Sequence, residues 1–172
     1  MNAVLLTAAV LIGAVALIVL IGAGLPRGHV TTVEARLPIP PQKLWLILTD
    51  VDGFAAWRPD VKRIERLPDI DGRPVWTEYA SGGRIRFAMD RMEAPRMLVV
   101  RIADPDLPFG GTWTYEILAN GNGSSLRITE RGEVHNPIFR FIARFVIGHE
   151  QTIRTYLDAL ERRVAGEPSH GV

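Results

Sequence analysis

Apolar residues recur at helical spacing from Asn136 to about Val164. Ile138, Phe141, Ile142, Phe145, Ile153, Tyr156, Leu157, Leu160 and Val164 share one stripe, and Arg140, Arg144, Glu150, Arg154, Asp158, Glu161 and Arg162 lie opposite. Asn136 suits an N-cap, Pro137 the first helical position and Gly166 a stop. The pattern predicts one helix of roughly seven turns, polar on its outer face. Its stripe requires a concave apolar surface built by the chain upstream.

A second pattern fills the N-terminus. Ala3 to Leu25 contains no charged residue and is apolar on every face. At ~1.5 Å per residue it reaches ~30 Å or more, enough to cross the hydrocarbon core of a bilayer. It reads as a retained anchor rather than a cleaved signal peptide, because no Lys or Arg precedes it and it exceeds the usual length of a signal's apolar core; Ala23 and Gly24 leave a small-residue cleavage site as the alternative. Arg27 follows it, and this charge bias predicts a single-pass membrane protein with its C-terminal domain in the cytoplasm.

Between these two stretches the period falls to two. After a linker over residues 28–30, the β-branched run Val30 to Leu37 predicts a strand that ends at Pro38, Pro40 and Pro41. Pro41 opens a short helix through Leu48, and Asp50 can cap a second over Val51 to Trp57. Strands are then predicted over Val61–Leu67, Val75–Tyr79, Arg84–Met92, Met97–Ile102, Thr112–Leu118 and Ser125–Val134. Turn signals separate them, most clearly Asn120-Gly121-Asn122-Gly123. Sequential hairpins imply a meandering antiparallel sheet with one face on a core.

Composition narrows the partners. With 20 basic and 19 acidic residues the formal net charge is +1, which argues against nucleic-acid binding through backbone electrostatics. The absence of cysteine excludes disulfide and thiolate chemistry. There is no GxSxG, HExxH or Walker loop, and His29, His135, His149 and His170 lack metal-ligand spacing, so neither metal nor other cofactor is expected. Small apolar molecules and lipid are the partners that remain; the oligomeric state is not readable from these features.

The order strand, two short helices, six strands and one long helix resembles the α+β helix-grip fold of the START-like (SRPBCC) superfamily, which includes polyketide cyclases, Bet v 1-type allergens and lipid-transfer domains. The resemblance runs from about Thr31 to Arg163. It is carried by Pro40-Pro41-Gln42-Lys43-Leu44-Trp45, Trp57-Arg58-Pro59, Trp76-Thr77-Glu78, Gly110-Gly111-Thr112-Trp113-Thr114-Tyr115-Glu116 and Asn136-Pro137. It implies an antiparallel sheet curled around a long C-terminal helix, preceded here by one transmembrane helix, with a ligand-binding domain over residues 31–165 and a tail over 166–172. It also implies a cavity between sheet and helix.

Alternation selects candidate lining residues. Trp113, Tyr115 and Ile117 share one face of their strand, and Leu126, Ile128 and Glu130 one face of theirs. From the helix, Phe145, His149 and Ile153 lie on the stripe. Trp57, Trp76 and Phe87 suit either core or ligand platform. The pattern leaves open whether Glu78 and Arg86 point in or out. His149, Glu130, Glu78, Arg58 and Arg86 are the polar groups able to orient a ligand carbonyl or move a proton, with His149, Glu130 and Arg58 the catalytic candidates; each has a structural role as its alternative. Leu107, Phe109, Gly110 and Gly111 form a candidate gating loop, stiffened by Pro105 and Pro108. Phe139, Arg140, Arg144 and Ile147 form an outward apolar and basic patch suited to anionic lipid or to water.

Three functions follow as expectations. The first is membrane-anchored binding of a hydrophobic small molecule or lipid in the cavity. The second is a polyketide cyclase/aromatase-like enzyme using pocket acid/base residues, and the third an interaction scaffold with a filled core.

Overall fold

The computed structural model describes residues 3–148 and 150–166. In chain order these form α1 (Ala3–Gly24), β1 (Gly28–Leu37), α2 (Pro41–Thr49), α3 (Phe54–Trp57), β2 (Arg63–Ile70), β3 (Arg73–Ala80), β4 (Gly83–Glu93), β5 (Met97–Ile102), β6 (Phe109–Asn120), β7 (Gly123–Val134), α4 (Pro137–Ile142), a π-helical turn (Ala143–Ile147) and α5 (Gln151–Ala165). The expected linker over residues 28–30 is instead the start of β1, because Gly28, His29 and Val30 pair with Glu133, Gly132 and Arg131 of β7.

All seven strands join one antiparallel sheet in the order β1-β7-β6-β5-β4-β3-β2. Tight turns make the meander. Asp71 and Gly72 both take positive φ (52° and 70°), the form that matches the twist of the flanking strands β2 and β3. Gly121 and Asn122 join β6 to β7 between the paired Asn120 and Gly123. The excursion through α2 and α3 carries the chain from one edge strand, β1, to the other, β2.

Register settles which side chains face the core. Trp113, Tyr115 and Ile117 lie opposite Glu130, Ile128 and Leu126, so all six share a face, and Thr31, Val33 and Ala35 of β1 continue it. On the other half of the sheet Trp76 pairs with Phe87 and Glu78 with Ile85, which puts Glu78 on the same face as Trp76. Arg86 pairs with Thr77 on the opposite face and is exposed. Against this inner face pack Leu44 and Leu48 of α2, Phe54 and Trp57 of α3, and Ile153, Tyr156, Leu157 and Leu160 of α5. Burial of each large apolar side chain contributes about 1.5–3 kcal/mol, so this layer carries the fold.

The seven-turn helix is divided. Asn136 caps α4 as expected, its Oδ1 accepting from Ile138 N at 2.9 Å and Phe139 N at 3.3 Å, and Gly166 ends α5 in the left-handed conformation. Between α4 and α5 the backbone widens into the π turn, which closes with Gly148 N–H donating to Ala143 O, and then breaks at Gly148, whose φ is 79°. A π turn inserts one residue, which rotates what precedes it by about 100° relative to the stripe that follows. The two halves of the stripe therefore part company: Ile153 and Leu160 are fully buried, whereas Ile138, Phe145 and Val146 are exposed. Phe145 thus does not face the sheet; its ring packs on Phe141 at 4.9 Å.

Two further expectations are corrected. Phe109, Gly110 and Gly111 belong to β6 and pair with Val134, Glu133 and Gly132, so only residues 103–108 form the connecting loop. Gly111 (φ 142°) is a close-approach position rather than a hinge, since a Cβ there would strike Arg131 O of β7. Arg140, assigned to the solvent face, is buried, 8% exposed, and bonds to the end of α1.

Candidate functional site

Arg58 is the first residue after α3, where its N–H closes the short helix on Phe54 O at 2.9 Å. That exit points its guanidinium at the inner face of the sheet. Nη1 donates to Glu78 Oε1 at 2.8 Å and Nη2 to Asp60 Oδ2 at 2.7 Å. Glu78 Oε1 also accepts from Trp76 Nε1 at 3.0 Å. The guanidinium lies 5.7 Å from the Phe54 ring centroid and 5.4 Å from that of Tyr156, both within cation–π range. Its Nε is buried and has no hydrogen-bond partner among the described residues.

Tyr156 of α5 ties this ion pair to the aromatic wall. Its ring stands edge-on to Trp57 at 5.4 Å, Trp113 at 5.6 Å and Tyr115 at 5.8 Å. Phe54 packs edge-on to Trp57 and Trp76, and Trp76 stacks on Phe87 at 5.7 Å. The result is a polar cluster of half-buried Arg58 with buried Glu78, Tyr115 and Tyr156, enclosed by aromatic rings from α3, β3, β4, β6 and α5. Edge-to-face pairs at such distances add about 0.5–1.5 kcal/mol each beyond area burial, which favours one fixed arrangement.

The electrostatics follow from burial. Removal from water opposes the Arg58 charge, but Glu78 and Asp60 more than offset it and hold the guanidinium above its usual range. Burial pushes the Tyr115 phenol well above its usual range, helped by the neighbouring Tyr156. Tyr156 is raised by burial too, with Arg58 pulling it back in part. At neutral pH the cluster offers a permanent cation and two neutral phenols.

Of the other candidates, Trp113 and Phe87 belong to the aromatic wall and the rest fall elsewhere. Ile117, Leu126, Ile128 and Ile153 are 0–2% exposed and fill the core, while Trp113 and Phe87 are half-buried. Glu130 faces inward but at the far end of β7, where its Oε1 lies 3.4 Å from His29 Nε2; burial lowers the pKa of His29. Leu107 and Phe109 are half-buried. His149, the side chain of Ile147 and the tail over residues 167–172 lie outside the described residues. Among the described residues no group of His, Asp and Glu has the arrangement to hold a metal ion. A shallow depression of 460 Å³, lined in part by Arg36, Asn120 and Ser124, shares no residue with the cluster.

Sequence reasoning missed three members of the site. Tyr156 reads as one more apolar position of the stripe, and only the position of Tyr115 opposite it shows that its hydroxyl matters. Asp60, two residues beyond Arg58, and Phe54, one helical turn before it, were legible as spacings but carried no signal of their own.

A curled antiparallel sheet gripping a C-terminal helix, with helices inserted after the first strand, defines the helix-grip fold. The chain belongs to the polyketide cyclase/dehydrase and lipid transport family, whose model matches residues 28–165. Solved structures agree on the fold. A START superfamily protein from Mycobacterium smegmatis aligns with a TM-score of 0.66 at 18% identity, covering 80% of this chain and 98% of that one. A Thermus thermophilus protein gives 0.64 at 21% identity, with 80% and 98% covered. A norcoclaurine synthase point mutant from Thalictrum, in complex with a transition-state analogue, gives 0.64 at 10% identity, with 81% and 95% covered. No curated protein matches the sequence.

Proposed function

We propose that this chain is a membrane-anchored carrier that binds a hydrophobic small molecule or lipid between the sheet and the C-terminal helices, with the ligand's polar end on Arg58 and the two phenols. The observation that carries the reading is the buried Arg58 Nε with no described acceptor, set inside an aromatic wall. A buried donor without a partner costs about 1–3 kcal/mol, more when charged, and a ligand oxygen placed there would recover that. Family membership supports a hydrophobic ligand, and α1 supports membrane attachment: its 22 residues carry no charge, are apolar but for Thr7 and are almost wholly exposed. Tethering raises the effective concentration of a ligand that resides in the same bilayer. Arg27, directly after α1, supports a cytoplasmic domain, which protease protection of oriented vesicles tests.

The test is solvent extraction of the purified full chain followed by mass spectrometry. An apolar molecule with an oxygen-bearing end should copurify with the wild type, and its occupancy should fall at least tenfold in Arg58→Met. Wild-type protein free of any such molecule, and failing to take up fluorescent lipid, would overturn the reading.

A second reading, a polyketide cyclase-like enzyme, is favoured by the convergence of Arg58, Glu78, Tyr115 and Tyr156. These groups can polarise a carbonyl or stabilise an enolate oxygen. Carriage is preferred because Glu78 Oε1 is already occupied by Arg58 and Trp76, and both phenols hold their protons tightly, so the cluster is better supplied with donors than with a base.

A further inference from the structure

The end of α1 is locked to the C-terminal segment of the domain. Gly22 is the buried residue of α1, and a Cβ at that position would overlap the carbonyl of Pro137, so α1 and α4 meet backbone to backbone. Arg140 of α4 donates from Nη1 to Leu25 O at 2.8 Å and to Ala23 O at 3.5 Å. Carbonyls at a helix C-terminus have no partner within the helix, and a cation there complements the helix dipole, so Arg140 acts as a cap supplied from another element. The next residues continue the attachment, since Val134 N of β7 donates to Arg27 O at 2.8 Å.

What α4 and the π turn show to the outside is apolar. Ile138 is 39% exposed, Phe139 47%, Phe145 58% and Val146 71%; the exposed cation Arg144 lies in the same segment, and the exposed Arg27 lies just beyond the end of α1. Four large apolar side chains on one short segment would be a liability in water. Their position relative to α1 gives them a different neighbour. Gly22 lies about 3 Å, and α4 therefore less than one turn, from the helix end, whereas the headgroup layer on each side of the hydrocarbon core is about 5–7 Å deep.

We infer that α4 and the π turn form a membrane seat: Arg140 and Gly22 lock this segment to the exit of the anchor, so that Ile138, Phe139, Phe145 and Val146 enter the interfacial layer of the same bilayer while Arg27 and Arg144 meet its anionic headgroups. The inference rests on α1 being a membrane anchor, and it adds that the domain is held flush with the surface instead of hanging on a free tether. It also accounts for the interruption of the C-terminal helix. The π turn and Gly148 rotate the apolar residues of the first half away from the sheet, where they would be buried, and leave them exposed on α4 and the turn itself.

The chain contains no cysteine, so a single introduced thiol reports one site. Val146→Cys and, as a control on an exposed strand position, Leu118→Cys are labelled with an environment-sensitive fluorophore in the full chain, reconstituted into vesicles of phosphatidylcholine and phosphatidylserine. The label at Val146 should emit at shorter wavelength and be quenched by brominated acyl chains, while that at Leu118 should report water. Adding Arg140→Ala, or separately Gly22→Leu, should abolish the shift while the protein resists alkaline carbonate extraction. Gly22→Leu alters only the apolar helix and so leaves the fold of the domain intact if Arg140→Ala does not. A wild-type label that reports water in carbonate-resistant protein overturns the seat and leaves the anchor standing. Extraction of the protein by carbonate overturns both. A shift that scales with protein rather than lipid concentration assigns the patch to a second copy and also overturns the proposal.

Discussion

Arg58 shows how one residue serves both stability and recognition. Its charge is largely withdrawn from water and paired with the buried Glu78, so removing it alone strands Glu78 in the core. Arg58→Met is expected to destabilise the chain by roughly 3 kcal/mol. The double variant Arg58→Met with Glu78→Gln should recover much of that loss, since glutamine still accepts from Trp76. Thermal unfolding in detergent measures both; equal destabilisation of the single and double variants would refute the ion-pair account. The tyrosines set an alkaline limit. A phenol whose folded pKa lies above its unfolded value of 10.0 makes no pH-dependent difference below pH 10. Above it the unfolded chain loses protons that the folded chain retains, so stability falls as pH rises toward the folded values. Tyr115→Phe or Tyr156→Phe should move the onset of alkaline unfolding upward, as followed by circular dichroism.

At the scale of elements, two glycines separate strain from crowding. Gly111 has a positive φ and the backbone of β7 within what would be overlap of a Cβ, whereas Gly148 has a positive φ with open space around it. Gly148→Ala should therefore cost about 1–2 kcal/mol, the conformational term of a backbone (φ 79°, ψ 142°) close to the glycine-only region. Gly111→Ala should cost more, roughly 2–3 kcal/mol, because the β6–β7 ladder cannot yield without losing pairs. Chemical denaturation of the two variants side by side distinguishes them, and equal losses would mean that the close approach at Gly111 relaxes freely. The elements themselves were largely legible. Met97–Ile102 has the expected bounds, and Pro41, Asn136 and Gly166 mark helix ends through local geometry that each residue carries with it. The division of the C-terminal helix was not legible, because the apolar spacing on either side of Gly148 fits one continuous stripe. The outer position of Arg86 needed the pairing register, since both faces of its strand have similar polarity.

For the whole molecule, the anchor and the domain are expected to divide the work. A variant lacking residues 1–24 keeps the sheet, α5 and the Arg58 cluster, so its secondary structure and ligand affinity in solution should remain close to those of the full chain. Its loading from vesicles should slow by roughly 10²-fold or more, because the tether's effective concentration is lost. Stopped-flow transfer of a fluorescent lipid measures this, and unchanged loading would remove the functional argument for attachment.

Period, capping residues and turn chemistry act over a few residues, so the strands, the helix ends, the apolar N-terminal stretch and the helix-grip order were determined by the sequence alone. Partnerships across the chain were decided by tertiary structure. Arg58 with Glu78, Tyr115 with Tyr156, and Arg140 with Leu25 join positions separated by 20, 41 and 115 residues, and no local pattern encodes such pairs. Arg140 makes the reason concrete: in sequence it is a cation on the polar side of a helix, and it becomes a buried cap because the fold brings the bare carbonyls of α1 within its reach.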